Sequence, residues 1–328
     1  MSNTFGLIDH SDAVFRDEPA VALATLISAS GSSSKKIGAK MIVGQSARII
    51  GGVTIGGCVD AQVIEAADAV VARGGQRLLA ISLDDDEAWE IGLTCGGTLE
   101  VLSTRVEPSS QTDPTVVAHR RALELLEAGD DAVIVTPLDT PGSPYTVPAT
   151  TFDEETAGAG AGAGRTFVDR IAPPITLLIV GAGQIAMSLT RLARELEMRS
   201  VVVDGRERYA TRQRFPDADD IRIGMPSEIV AGCELNRRTA VVLLAHDYKY
   251  ELPVLRHVLR QNVGYIGLLG SRKRGTAIRQ MLSEEGFTSD ELARIHTPIG
   301  LELGGKGSAE VALAVLAEIV AVNNGKRA

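Results

Sequence analysis

Aromatic side chains are scarce in this chain: phenylalanine, tyrosine and tryptophan make up 4% of its 328 residues. Aliphatic residues and alanine supply most of the apolar bulk, within a hydrophobic share of 45%. That composition suits helices packed on buried parallel strands, whose central segments read as unbroken apolar runs. Cysteine is also sparse. Cys58, Cys95 and Cys233 are widely spaced, odd in number and form no CxxC pair. They therefore offer neither a disulfide framework nor a zinc knuckle, and a reducing cytoplasm is the expected location. No charged-then-apolar leader is recognisable, and no apolar run reaches the ~18 residues of a membrane span. A basic excess is missing too. At a formal charge of −9, the chain has no general surplus of cations to displace counterions from phosphates, so nucleic acid is not an expected partner.

What is present divides into two parts, as the length suggests. Residues 21–28, 39–43, 77–83 and 98–106 have the apolar character of strands. Val59, Val63, Ala66, Ala67 and Val70 form a helical stripe. A second amphipathic helix is expected over 113–128, and a strand over 132–135. The segment 51–57 is too rich in glycine for a regular element and predicts a tight loop. From 137 the pattern breaks at Pro137, Pro141, Pro144 and Pro148, and 157–164 alternates alanine with glycine, with nothing to bury. A smaller α/β domain with a mixed sheet is thus expected over 1–152, a flexible linker over 153–173 and a second domain over 174–328. In that second domain, strands at 175–180, 200–203, 240–244 and 265–269 are separated by helical segments at 184–196 and 251–260. Further helices are expected at 274–285 and 308–322. Alternating β and α predict a doubly wound parallel sheet of Rossmann type.

One turn in that domain carries chemistry. Gly181-Ala182-Gly183-Gln184-Ile185-Ala186 has the GxGxxA form, weak alone, but it follows a strand and opens a helix. Asp204 ends the next strand at the distance of about 20 residues expected for an acid facing a ribose. Gly181 would make the tight turn, Gly183 would let backbone approach a pyrophosphate, and the helix N-terminus would offer its free N–H groups. Asp204 favours an NAD-like ligand, whereas Arg206 and Arg208 could meet the extra phosphate of NADP. Polar residues follow two other strands: His246 and Asp247 after the strand at 240–244, Ser271 and Arg272 after that at 265–269. Ligands of open α/β sheets bind at such strand ends. His246 is the candidate acid–base group and Arg272 the candidate anion clamp. The alternative for His246 is a loop residue capping the next helix.

In the first domain, Gly56-Gly57-Cys58-Val59-Asp60 and Leu93-Thr94-Cys95-Gly96-Gly97 each place a thiol in backbone stripped of side chains. Cys58 precedes a helix whose N–H groups would favour the thiolate. Thiolates at Cys58 and Cys95 are candidate ligands for a soft or high-valent metal, with Gly57 and Gly96 allowing close approach. Lys40 is a candidate partner for an anionic pterin phosphate. The alternative is that both cysteines are buried and inert. Cys233 has no such setting and reads as packing.

In order along the chain, these segments resemble the XdhC/CoxI family of accessory proteins for molybdenum hydroxylases. The resemblance rests on Gly38-Ala39-Lys40-Met41, both Gly-Gly-cysteine loops, the Gly-Ala-Gly turn and His246-Asp247. It extends through Tyr265-Ile266-Gly267-Leu268-Leu269-Gly270-Ser271-Arg272, Thr297-Pro298-Ile299-Gly300-Leu301 and the closing helix. It implies binding of molybdenum cofactor (molybdopterin), support for its sulfuration and its insertion into an apo hydroxylase of the xanthine dehydrogenase or CO dehydrogenase type. A cysteine desulfurase is the further partner implied. A homodimer is expected from family habit and from the apolar helix positions Val311, Val315 and Ile319. The sequence departs from the family pattern at Gln184, where a histidine is usual, at Asp60, where glutamate is usual, and at Ser34-Lys35-Lys36, where proline is common. Two other readings compete. One is an NAD(P)-dependent oxidoreductase using the Rossmann crevice and His246; the other is a non-enzymatic nucleotide sensor.

Overall fold

The computed structural model describes residues 18–30, 37–52, 59–83, 97–138, 143–153 and 164–326. The chain forms two compact units, Met1–Pro173 and Pro174–Ala328.

The first unit holds two sheets, and every pairing in both is antiparallel, in place of the mixed sheet expected. Strands β1 (Val21–Ala29), β2 (Lys40–Val43), β3 (Ile49–Gly52), β4 (Gln76–Leu83) and β5 (Gly97–Val106) form a five-stranded sheet in the order β3-β2-β1-β5-β4. Helix α1 (Asp60–Arg73) packs on one face, its Val63, Ala67 and Val70 meeting Ala22, Ala24, Leu26, Met41 and Val101. The opposite side of β1 is buried as well, through Val21 and Leu23, which is why 21–28 reads as a run rather than as alternation. Helix α2 (Pro114–Glu127) starts at Asp113, whose carboxylate accepts from the Thr115 and Val116 amides, an N-cap worth ~1 kcal/mol. It covers a three-stranded sheet of β6 (Ala132–Pro137), β7 (Tyr145–Pro148) and β8 (Thr166–Ile171), in the order β7-β6-β8.

Strand β8 lies inside the segment expected to be linker. It pairs with β6 from Thr166↔Pro137 to Ile171↔Ala132, so the boundary falls later, at Pro173. Its buried face is Phe167, Asp169 and Ile171; the carboxylate in the middle hides the apolar alternation that would have marked a strand. The prolines of the neighbouring segment sit where a ladder tolerates them, Pro137 and Pro148 being the last residues of their strands. Residues 51–52, expected in the glycine loop, end strand β3.

The second unit carries a six-stranded sheet, every pairing parallel. Its strands are β9 (Thr176–Val180), β10 (Arg199–Asp204), β11 (Asp220–Ile223), β12 (Thr239–Leu243), β13 (Tyr265–Leu268) and β14 (Ile295–His296), in the order β11-β10-β9-β12-β13-β14. This is the doubly wound Rossmann order, whose switch point lies between β9 and β12. Helices α3 (Gln184–Glu195) and α8 (Ser308–Asn323) bury one face of the sheet through Ala186, Leu189, Val315 and Ile319. Helices α5 (Tyr248–Val258) and α6 (Arg272–Glu284) bury the other through Val254, Leu255, Ile278 and Leu282. Two shorter helices, α4 (Pro226–Ala231) and α7 (Ser289–Ala293), complete the unit. Val315 and Ile319 therefore belong to the core and supply no docking face for a second copy. Cys233 packs against the same interior and hydrogen-bonds to the Ile229 carbonyl, as its sequence context suggests. Among the described residues, no helix is long and apolar enough to cross a membrane.

Candidate functional site

At the carboxyl ends of β9, β10, β12 and β13, the second unit gathers the residues expected to surround a nucleotide. Gly181 leaves β9 at φ +114°, and a Cβ there would lie 3.0 Å from the Ala245 nitrogen and the Leu244 carbonyl carbon. Only glycine permits both that dihedral and that approach. Gly183 precedes α3 and faces open space; no side chain caps the helix. Its first N–H groups thus remain suited to an anion. Gln184 is exposed at the first position of α3.

Asp204 ends β10, buried, and is already engaged. Its Oδ2 accepts from the Ala182 amide at 2.7 Å and from Arg206 Nη2 at 2.7 Å, and its Oδ1 accepts from Arg206 N and Nε, both at 2.9 Å. Burial pushes this carboxyl up, but the Arg206 guanidinium and the two amides outweigh it and hold the group below the usual carboxylate range. The glycine turn and helix end fit a pyrophosphate. At the ribose end, a hydroxyl must displace the half-exposed Arg206 from Asp204. Arg206, unlike Arg208, is thus a direct partner of the acid.

His246 follows β12 with a left-handed backbone, φ 54°, uncommon for a residue with a side chain and often found at functional sites. Its amide donates to Glu251 Oε1 at 3.0 Å, and Arg274 lies between the two side chains, 3.3 Å from His246 Nδ1 and paired with Glu251. Glu251 is fully buried on α5, in the same stripe as Val254, Leu255 and Val258. Burial pushes its carboxyl up to about 7, against the pull of Arg274 and the His246 amide. The cluster therefore holds the His246 imidazole beside a guanidinium whose anchor titrates near neutrality. Asp247 caps α5 by accepting from the Lys249 amide, and Ser271 caps α6 by accepting from the Arg274 amide. The helix cap is thus Asp247, one residue past the histidine. Arg272 is exposed and faces Glu302 at 3.5 Å.

A second polar cluster lies where α8 meets β13 and β14. The Tyr265 hydroxyl donates to Glu318 Oε2, which also accepts from the Gly300 amide at 2.8 Å; His296 Nδ1 lies 3.2 Å from Glu318 Oε1. The Tyr265 and His296 rings stack with centroids 4.6 Å apart. Burial pushes the Glu318 carboxyl up, but these three donors prevail and hold it below its ordinary value. Burial and the Glu318 carboxylate raise the Tyr265 hydroxyl. Gly300 adopts φ +89°, and a Cβ there would meet the α8 backbone at 2.9 Å. The Thr297–Leu301 motif thus serves to deliver one amide to a buried carboxylate.

In the first unit Lys40 is buried, with its ammonium on Asp169 and the Gly38 carbonyl. Its charge is already neutralised, which disfavours a role on phosphate. Cys58, Cys95, Gly57 and Gly96 lie outside the described residues. Glu251, Arg274, Glu318 and His119 were not singled out from the sequence. A signal existed for three of them: an ionisable residue placed on the apolar stripe of a helix.

Residues 177–319 match the XdhC Rossmann domain, and residues 15–82 match the XdhC and CoxI family. A probable xanthine dehydrogenase subunit of Bacillus subtilis (strain 168) is 26% identical over 334 residues, 94% of this chain and 95% of that protein. The molybdenum cofactor insertion chaperone PaoD of Escherichia coli (strain K12) is 27% identical over 301 residues, 92% of this chain and 82% of PaoD. A crystal structure of a xanthine dehydrogenase from Bacillus halodurans, 24% identical, has a TM-score of 0.80 and covers 100% of this chain and 97% of that one. At that identity the likeness speaks for the fold. With family matches to both units, in the order in which the motifs run, the chain belongs to the XdhC and CoxI family.

Proposed function

We propose that this chain is a maturation factor that binds molybdenum cofactor, supports its sulfuration and passes it to an apo hydroxylase of the xanthine dehydrogenase or CO dehydrogenase type. The observation that carries this reading is the similarity to the insertion chaperone PaoD along 92% of the chain. Cys58 and Cys95, each beside paired glycines, are the proposed thiolate contacts to the metal, and the cytoplasm the proposed site of action. A cysteine desulfurase as sulfur donor and a homodimer as the working form belong to the same proposal.

Purified protein is mixed anaerobically with released cofactor and passed through gel filtration, with molybdenum and pterin assayed in the protein peak. Stoichiometric retention by the wild type, lost in Cys58→Ala or Cys95→Ala, is expected. Retention that survives the double variant would remove the cysteines from the site.

The left-handed His246 and the open N-terminus of α3 favour a second ligand, a nucleotide in the Rossmann crevice. Gly181, Gly183 and the start of α3 would hold its phosphates, with Asp204 or the displaced Arg206 at its ribose. Such a nucleotide supplies a hydride when it carries nicotinamide. His246, oriented by Glu251 and Arg274, would then hold a proton at its imidazole.

A further inference from the structure

The polar cluster after β12 fixes more than the place of His246. A Cβ on Gly181 would lie 3.0 Å from the Ala245 nitrogen, so the end of β12 packs against the glycine turn. His246 is the next residue, and it is exposed. With its left-handed backbone, φ 54°, its amide reaches Glu251 Oε1 at 3.0 Å, and the same buried carboxylate pairs with Arg274.

Arg274 is built into place. Its side chain is 15% exposed, its guanidinium lies 4.8 Å from the centre of the Tyr248 ring, and a Cβ on Gly270 would crowd its Cδ at 3.0 Å. Ser271, the cap of α6, accepts from the Arg274 amide. From this seat Arg274 Nη1 reaches His246 Nδ1 at 3.3 Å.

A guanidinium has no acceptor and keeps its protons in proteins. It can only donate, so the Nδ1 facing it presents a lone pair, and neutral His246 carries its proton on Nε2. The lone pair that a general base needs is therefore already spent on Arg274. What His246 offers a ligand is an N–H. The amides at the uncapped start of α3 are donors too, so a partner for both must be rich in acceptor oxygens, as a phosphate is.

We propose that Arg274, anchored by Glu251, is a positioning residue that fixes His246 as the Nε2–H tautomer, so that His246 donates a hydrogen bond to a phosphate oxygen of a bound nucleotide instead of acting as a base. The phosphate contact rests on the nucleotide reading; the tautomer stands apart from it.

The full chain, isotope-labelled, is followed by NMR at about pH 8, where an ordinary imidazole is neutral. The side-chain nitrogens of His246 are assigned by their loss in His246→Gln, and couplings to the ring protons show which nitrogen is protonated. The free protein is expected to have a protonated Nε2 and an Nδ1 that accepts a hydrogen bond. In Arg274→Gln the Nδ1 resonance should move toward that of an unbonded nitrogen. Inorganic pyrophosphate should shift Nε2 saturably, and adenosine should not. Pyrophosphate affinity should fall about tenfold or more in His246→Ala. It should stay within about threefold of the wild type in His246→Gln, whose side-chain amide keeps a donor but supplies no base. The wild-type spectrum needs no substitution, so a misfolded variant does not spoil the test. A proton on Nδ1 in the free protein, or an Nδ1 resonance indifferent to Arg274→Gln, would overturn the positioning role. Pyrophosphate that binds without moving Nε2 would overturn the phosphate contact. Pyrophosphate that does not bind at all would count against the nucleotide reading, while the tautomer still decides the role of Arg274.

Discussion

Acid is expected to move the two units in opposite directions. His119 in α2 has a folded pKa of about 4, below its ordinary 6.5. A base depressed on folding contributes stability above its unfolded value and loses it as pH falls through the folded one. Between pH 6.5 and 4 the first unit should therefore lose roughly 3 kcal/mol, at ~1.4 kcal/mol per pH unit. Glu251 in the second unit has a folded pKa raised from 4.5 to about 7. Its contribution is complete below the unfolded value and disappears as pH rises through 7. Acidification from 7 to 4.5 should thus strengthen the second unit, by an amount of the same order. Asp204 and Glu318 do not blur this window, because their folded values lie below the ordinary carboxylate range. Hydrogen exchange at the amides of α2 and β12, corrected for intrinsic rate and followed from pH 7 to 4.5, reports the two units separately. His119→Gln should flatten the first slope and Glu251→Gln the second. Parallel slopes in both units, unaffected by either substitution, would contradict the assignments.

Replacing Glu318 by alanine should destabilise the second unit by roughly 3–5 kcal/mol, the range for removing one partner of a buried charged network. The loss leaves the buried Tyr265 hydroxyl and the Gly300 amide without their acceptor and His296 without its carboxylate. It also opens space in the core beside Ile319 and Val315. For a unit of this size, the fall in Tm should be on the order of 10 °C. Glu318→Gln keeps the shape and one carbonyl oxygen and should cost less. A Glu318→Ala protein melting within about 2 °C of the wild type would show that the cluster is not a fastening point of α8.

The glycine turn was legible in the sequence because its marks are local: a strand, Gly181 and Gly183, a helix, and an acid at the end of the next strand. Four strands of the parallel sheet, β9, β10, β12 and β13, were legible for the same reason, since a βα unit declares itself within about thirty residues, whereas the short edge strands β11 and β14 were not. What stayed hidden depends on partners distant along the chain. Glu251 reads as a helix residue until Arg274 is beside it, and His119 as a core histidine until Lys40 and Asp169 share its pocket. Strand β8 was lost to the linker because Asp169, on its buried face, is tolerated only through its pairing with Lys40. The same pairing weakens the reading of Lys40 as a phosphate ligand. Sequence spacing placed Asp204 at the ribose position without showing that Arg206 already occupies it.

The most direct measurement is transfer. Protein loaded with molybdenum cofactor is added to an apo xanthine dehydrogenase type hydroxylase, and recovered hydroxylase activity is compared with that from the same amount of free cofactor. Faster and more complete activation is expected from the loaded protein, and none from a Cys58→Ala, Cys95→Ala protein carried through the same loading. Activation no better than free cofactor gives, with no cofactor held by the wild type, would contradict the proposed role.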